Sequence, residues 1–370
     1  MNNAEVAKKK IMFLITGSDI GGAEIVVKNL IFNLDQSKFN ISFVSMRPLG
    51  TVGKEIKKKC PVFSLEASQK FNPILVFKLF KLIRQERPDI LHCHLFHANL
   101  LGRIIGKIVK VPYIISTVHS DNFGGKLRYF LLKISDKLNN MTVVVSENIK
   151  NDLLVKKITT PDKIKVIYNG VVLPEDNLSV EDIIKLKEKL GLVGAYPIVL
   201  SVGRLNIIKG HIYLIRALKS LENKYEDLKL ILVGDGPERL SLENEVKKID
   251  LDSKVLFLGA VNNPGDYCKL ADVFVLPSVN EGFGLAAVEA MSNKLLVVAS
   301  NVGGIPEIIK DGENGFMSRP GNSEDLSLAI TNALALSKDK KSEITERAGH
   351  DVINKFSLNK MLKEYNLLYN

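Results

Sequence analysis

Two glutamates, Glu281 and Glu289, stand eight positions apart in EGFGLAAVE. A carboxylate accepts several hydrogen bonds, so two on one side of an element suit a polyhydroxylated ligand. The run before them, DVFVLPS (272–278), is apolar and β-branched, the pattern of a buried parallel strand. The following LAAVEAMSNK has helical spacing, and Gly282 and Gly284 bracket the turn between the two. Glu281 therefore falls in the loop at the carboxyl end of the strand. Glu289 lies one to two turns into the helix on the same side. Open α/β sheets bind ligands outside the carboxyl ends of their strands. The amides of Gly284 and Leu285 open the helix there, where an anion is favoured. Two acidic acceptors beside a phosphate seat suit a nucleotide-sugar, although a capped helix with one exposed glutamate would carry the same letters.

Two further segments share this strand–loop–helix form. IVLSVGRLNIIKG (198–210) places Arg204 and Lys209 at the tip of another strand. Two fixed cations there can neutralise a departing diphosphate without a metal. Near the N-terminus, IMFLITGSDIGGAEIVVKNL (11–30) puts Gly21 and Gly22 where a helix begins, and glycines permit close backbone approach. The spacing is not GxGxxG, so no dinucleotide fingerprint is present.

GGAE, SVGRLNIIKG, VGDGP, VLPSVNEGFGLAAVEAM and GGIPEII, in that order, resemble the retaining glycosyltransferases of family 4. The resemblance spans essentially the whole chain and includes that family's Glu-x7-Glu signature. It implies an α/β GT-B fold, with two Rossmann-like domains facing across a cleft and a last helix crossing back to the first domain. It also implies a donor site formed by Gly21, Gly22, Arg204, Lys209, Gly282, Phe283, Gly284, Leu285, Glu289 and Val261. In this reading Glu289 accepts from ribose hydroxyls, and backbone groups near Val261 grip the base. The implied catalytic set is Glu281, His119, Arg204 and Lys209. Glu281 meets the donor sugar near its anomeric carbon, and the leaving phosphate itself assists the acceptor on the same face. No cofactor or metal is required, since the nucleotide-diphosphate sugar is a substrate. The acceptor is a saccharide or lipid-linked saccharide, in envelope, capsular or lipopolysaccharide assembly. A sugar-nucleotide epimerase and a non-catalytic sugar-nucleotide-binding subunit are the rival classes. An epimerase would turn over donor without acceptor.

Composition narrows the setting. The chain has 370 residues, 46% hydrophobic and 25% charged, enough for two packed cores. Cys60, Cys93 and Cys268 are widely spaced, which indicates neither a disulfide framework nor a zinc knuckle. A reducing cytoplasm fits, with peripheral attachment to the inner face of the plasma membrane as an extension. The basic start MNNAEVAKKK is followed by only the seven residues IMFLITG before polar positions, a first strand rather than a secretory segment. The net charge of +10 is uneven: residues 1–170 hold 27 Lys and Arg against 13 Asp and Glu, a net of +14, and the remainder hold 24 against 28, a net of −4. Such asymmetry points to an anionic partner for the first half. No nucleic-acid motif or aromatic stacking platform accompanies it, so nucleic acid is not expected. An anionic membrane surface fits, as does a soluble domain that is merely lysine-rich.

Strand and helix patterns alternate throughout, as in βαβ units. Strands are expected at 11–16, 41–46, 61–65, 90–94, 113–118, 141–146 and 164–167, then at 198–202, 229–233, 255–258, 272–276 and 295–299. NGVVLPEDN (169–177) breaks the pattern. This gives a first domain over 1–172 joined by the terminal helix at about 356–370, a linker over 173–189, and a donor domain over 190–352. His119 ends YIISTVH at a strand tip, followed by Ser120, Asp121 and Asn122; the family match places it by the donor sugar, and a backbone-bonded strand-end histidine is the alternative. In LHCHLFHAN, His92 and His94 share one strand face and invite a metal, but no second cluster completes the site, and His94 and His97 are expected to line or pack near the ligand crevice. In GGKLRYFLLKISDKL (124–138), Leu127, Phe130, Leu131, Ile134 and Leu138 recur at helical spacing, with Lys126, Arg128, Lys133 and Lys137 on the other face. That pattern describes both a helix covering a sheet and one resting on an anionic bilayer.

Overall fold

The computed structural model describes residues 8–67, 73–120, 122–174, 178–261 and 263–370. Asp121 and positions 175–177 of the expected linker lie outside the described residues. The chain forms two compact units, Met1–Gly170 with Asn359–Asn370, and Val171–Leu358.

In the first unit, β1 (Lys9–Ile15), β2 (Phe39–Ser45), β3 (Val62–Ser64), β4 (Ile90–His94), β5 (Tyr113–Val118), β6 (Met141–Val144) and β7 (Ile164–Val166) alternate with helices. These are α1 (Gly22–Asn33), α2 (Thr51–Ile56), α3 (Pro73–Glu86), α4 (Phe96–Val109), α5 (Lys126–Ser135) and α6 (Glu147–Val155). The strands are parallel, in the order β3-β2-β1-β4-β5-β6-β7. Ile11–Ile15 are all buried, because helices cover both faces of such a sheet. Leu75, Leu79 and Ile83 of α3, with Ala98, Leu101 and Ile105 of α4, pack in one core with Met12, Leu14 and Leu91 of the sheet. Helix α4 touches both α3 and α5, so the three share one layer.

The second unit begins at Val171 and includes α7 (Val180–Lys189), in the segment expected as a linker, closed by a capping box between Ser179 and Asp182. Its strands are β8 (Ile198–Val202), β9 (Lys229–Val233), β10 (Val255–Gly259), β11 (Val273–Leu276), β12 (Leu296–Ser300) and β13 (Phe316–Ser318). Its other helices are α8 (His211–Glu222), α9 (Arg239–Lys248), α10 (Leu285–Ser292), α11 (Ile305–Ile308), α12 (Ser323–Leu334) and α13 (Lys338–Lys355). The order β10-β9-β8-β11-β12-β13 is again parallel. This is the architecture of two Rossmann-like α/β units. The short edge strand β13 is one that the sequence pattern did not indicate. Its FMS run holds no β-branched residue and covers only three positions.

The last helix, α14 (Leu358–Tyr369), packs on the first unit. It buries Met361, Tyr365 and Tyr369, and Lys165 pairs with Glu364 at 2.9 Å. Helix α5 answers the question its pattern left open. Leu132 and Ser135 are its buried residues, while Leu127, Phe130 and Ile134 of the apolar set face solvent. Arg128 does not join the exposed cations: its Nη1 donates to the Phe123 carbonyl (2.6 Å), and its guanidinium stacks 5.0 Å from the Phe96 ring.

Candidate active site

Strand order fixes where a site can form. In the second unit the order reverses between β8 and β11, the topological switch point at which open α/β sheets leave a crevice. Arg204 and Lys209 follow β8 and Glu281 follows β11, and the sheet brings Lys209 and Glu281 together across 72 positions of sequence. Lys209 Nζ lies 2.6 Å from Glu281 Oε2, both side chains half-buried or deeper, and the Ser278 hydroxyl donates to the same oxygen at 3.2 Å. Ser278 is a member that sequence reasoning missed, although it sits only three residues before Glu281 in PSVNE. Lys209 ends a single helical turn whose Asn206 side chain accepts from its amide at 3.1 Å, which holds the lysine at the mouth of α8. Arg204 lies exposed at the tip of the β8 loop.

Glycines make these loops fit. Gly303 has φ +58°, and a Cβ there would fall on the Glu281 carbonyl. Gly304 N–H donates to that same carbonyl at 3.2 Å. The GGIPEI segment thus clamps the Glu281 loop from outside. Gly234 and Gly236 of VGDGP lie against the Gly203 and Leu205 carbonyls in the same way, fixing the loop that carries Arg204. Gly284 caps α10 at φ +107°. Ala287 and Val288 donate back to its carbonyl, so the Leu285 amide lies in the open first turn. Gly282 is buried, and the Phe283 ring turns into the core, edge-on to Phe356 at 5.6 Å. Phe283 can therefore meet a ligand through its backbone. Val261 sits half-buried two residues beyond β10.

Glu289 is the most perturbed carboxylate. Burial along α10 pushes it up to about 7, because a charged carboxylate there loses hydration. The neighbouring Cys268 thiol is pushed up to about 12 by burial and by the Glu289 charge. A carboxyl balanced between charge states near neutrality, on the helix that directly follows the Glu281 loop, marks a candidate binding group.

In the first unit the order reverses between β1 and β4. Gly21 and Gly22 follow β1 and start α1, and a Cβ on Gly22 would meet no atom within 4 Å, so its backbone faces open space. Around β4 and β5 lies a histidine cluster. His94 Nδ1 and His119 Nε2 are 3.0 Å apart, so one ring donates to the other. His92 commits both ring nitrogens, to Tyr369 Oη and to Thr117 Oγ1, each at 2.7 Å. Burial lowers His92 to about 3 and His119 to about 4, and holds His94 well below its usual range. All three rings are uncharged at neutral pH. His97 packs against Phe96 and is buried. Among the described residues no group of three or more His, Cys, Asp or Glu is placed to hold a metal ion. Gly21, Gly22 and His119 belong to the first unit, and the other predicted site residues to the second.

Residues 20–174 match the family model described as Glycosyltransferase Family 4, and residues 182–351 that described as Glycosyl transferases group 1. An uncharacterised glycosyltransferase of Methanocaldococcus jannaschii is 33% identical over 302 residues, 78% of this chain and 76% of that protein. The chain belongs to glycosyltransferase family 4. This glycosyltransferase is also similar to the UDP-Gal:alpha-D-GlcNAc-diphosphoundecaprenol alpha-1,3-galactosyltransferase of Escherichia coli, with 31% identity over 306 residues, 80% of this chain and 78% of that enzyme. Among solved structures, a glycosyltransferase from Rickettsia africae has a TM-score of 0.85 at 25% identity, covering 98% of both chains. HepE of Anabaena, solved with UDP and glucose, has a TM-score of 0.85 at 22% identity, covering 97% of this chain and 99% of that one. The glycosyltransferase thus has the two-Rossmann GT-B fold across its length.

Proposed function

We propose that this glycosyltransferase moves a sugar, with retention of anomeric configuration and without a metal, from a nucleotide-diphosphate sugar to a lipid-linked saccharide of the cell envelope. The observation that carries the donor assignment is the Lys209–Glu281 pair at the β8/β11 switch point, next to the open end of α10. Lys209, Arg204 and the Leu285 amide supply fixed positive potential for a diphosphate as charge develops on it. Glu281, already oriented by Lys209 and Ser278, accepts from hydroxyls of the donor sugar. Glu289 accepts from the ribose. His119, neutral and bonded to His94, keeps its donor-sugar role on the family resemblance alone. The leaving phosphate takes the acceptor proton on the face it departs from.

Relatives support the acceptor class. The Escherichia coli enzyme is named for a diphosphoundecaprenol acceptor, as is a Campylobacter jejuni N-acetylgalactosaminyltransferase, 29% identical over 90% of this chain. The net +14 of residues 1–170 suits a first unit working at an anionic, cytoplasmic membrane surface. Among the described residues no helix is long and apolar enough to cross a membrane.

The test begins with thermal shifts against UDP-, GDP-, ADP- and CMP-sugars. A true donor at 100 times its Kd stabilises the protein by about 2.7 kcal/mol. The stabilising donor is then offered with diphosphoundecaprenol-linked sugars, and the product linkage is read by NMR. Transfer with the donor's anomeric configuration is the expected result. Turnover of donor with no acceptor and no transfer would replace this reading with an epimerase.

A further inference from the structure

The helical layer formed by α3, α4 and α5 presents an outer face that the donor chemistry does not use. Phe77 of α3 is 66% exposed, Ile108 of α4 62%, and Leu127 and Phe130 of α5 68% and 57%. Large apolar side chains left exposed on each of three neighbouring helices mark a candidate interaction face. Interleaved with these side chains are the exposed cations Lys78, Lys81, Arg84, Lys107, Lys126 and Lys133. The three helices together contain one acid, Glu86, so almost nothing on the layer neutralises them. On α3 the two chemistries meet in a groove of about 620 Å³ lined by Phe77, Phe80, Lys81, Arg84, Gln85 and Arg87, with room for a phosphate between aromatic walls and cations.

We propose that the α3–α4–α5 face is a docking surface for an anionic lipid bilayer, with the groove on α3 seating a phosphate-bearing headgroup. Charge selects this occupant. A second copy of the chain would set one cationic, acid-poor face against another, and like charges would oppose the contact. An anionic leaflet supplies the opposite sign over the whole face and takes up the apolar side chains at the headgroup boundary. The proposal rests on the lipid-linked acceptor only for its purpose. The surface itself follows from the exposed residues.

The experiment is co-sedimentation of the full chain with vesicles of phosphatidylcholine alone and of phosphatidylcholine mixed with phosphatidylglycerol. Native mass and donor binding by calorimetry are measured on the same samples. The parental protein should pellet with the anionic vesicles, and the bound fraction should fall as salt screens the charge. Each cation near such a leaflet contributes about fivefold to partitioning, so Lys81→Gln, Lys107→Gln, Lys126→Gln and Lys133→Gln together should weaken it several hundredfold. Phe130→Ser should weaken it about tenfold through lost apolar insertion. All these side chains are exposed, so melting temperature and donor binding should stay at parental values. Indifference to both vesicle types, equal binding to both, or a dimer dissolved by Phe130→Ser would overturn the proposal. In those cases sugar transfer to a water-soluble acceptor would leave the enzymatic reading intact. Vesicle binding without any transfer would fell the enzymatic reading and leave the docking face standing.

Discussion

Glu289 gives the donor site a pH dependence whose size can be worked out. Its carboxyl titrates at about 7 in the folded protein because burial disfavours the charge. If it receives ribose hydroxyls, it does so as the carboxylate, and those bonds return its titration toward the usual range near 4.5. Donor binding then requires the ionised form. That form makes up roughly one tenth of the free protein at pH 6 and nine tenths at pH 8, and apparent affinity scales with the competent fraction. Affinity for a nucleotide-diphosphate sugar should therefore rise about tenfold from pH 6 to pH 8, with release of close to one proton per donor bound at pH 6. His92, His119 and His211 do not mask this, since they titrate at about 3 to 4. The sugar diphosphate is a diester with no ionisation of its own in that range. Calorimetry in two buffers of different ionisation heat measures both affinity and proton release. Glu289→Gln should bind weakly, with an affinity flat across the range. The same substitution reports on stability. A carboxyl raised in the folded state binds its proton more tightly there than in the unfolded chain, so parental stability falls as pH rises from about 4.5 through 7, and the variant should lack this slope. Flat donor affinity in the parent, or an unchanged slope in Glu289→Gln, would refute the ribose assignment.

Other consequences can be measured alongside. Lys209→Ala should lower kcat about 10²–10³-fold, by analogy with loss of one preorganised electrostatic donor, and parental turnover would sink the diphosphate role. Because Lys209 and Glu281 share a contact, Lys209→Ala combined with Glu281→Ala should lose less than the sum of the single losses, and strict additivity would separate their roles. Glu281→Ala alone should act mainly on kcat, whereas Glu289→Ala should act mainly on donor affinity; equal effects on affinity alone would contradict that division. Transfer should persist in excess EDTA, and complete loss restored by a divalent ion would return attention to His92 and His94. In the first core Arg103 is buried, donating to Ser116 Oγ (2.9 Å) and the Leu132 carbonyl (3.1 Å), with Asp136 at 3.7 Å. Arg103→Ala leaves that carboxylate buried and unpaired, so urea denaturation should show a loss of about 3–5 kcal/mol.

The sequence by itself determined the alternation of strands and helices and the loops that carry chemistry. Parallel strands covered on both faces must be apolar along their length, so runs such as IMFLI and VFVL announce themselves without reference to the rest of the chain. VGDGP and GGIPEII were visible only as motifs of the family resemblance, and the structure supplied the reason for their glycines, which lie against the Gly203, Leu205 and Glu281 carbonyls. Strand β13 escaped notice because three residues at a sheet edge carry too little pattern. Pairing across the fold was decided by tertiary structure. The family resemblance put Lys209 and Glu281 in one site, but their direct contact at 2.6 Å appeared only once strand order placed β8 beside β11. Nothing near His92 in sequence foretold Tyr369, its hydrogen-bonded partner 277 positions away. The buried rise of Glu289 follows from desolvation, a property of its surroundings and not of its neighbours in sequence. Helix α5 shows the same limit most plainly. Helical spacing of Leu127, Phe130 and Ile134 specifies that they share a face, and only packing settles whether that face meets a sheet or solvent. Here only Leu132 and Ser135 turn inward, where α5 packs on α4, and Leu127, Phe130 and Ile134 are left outside.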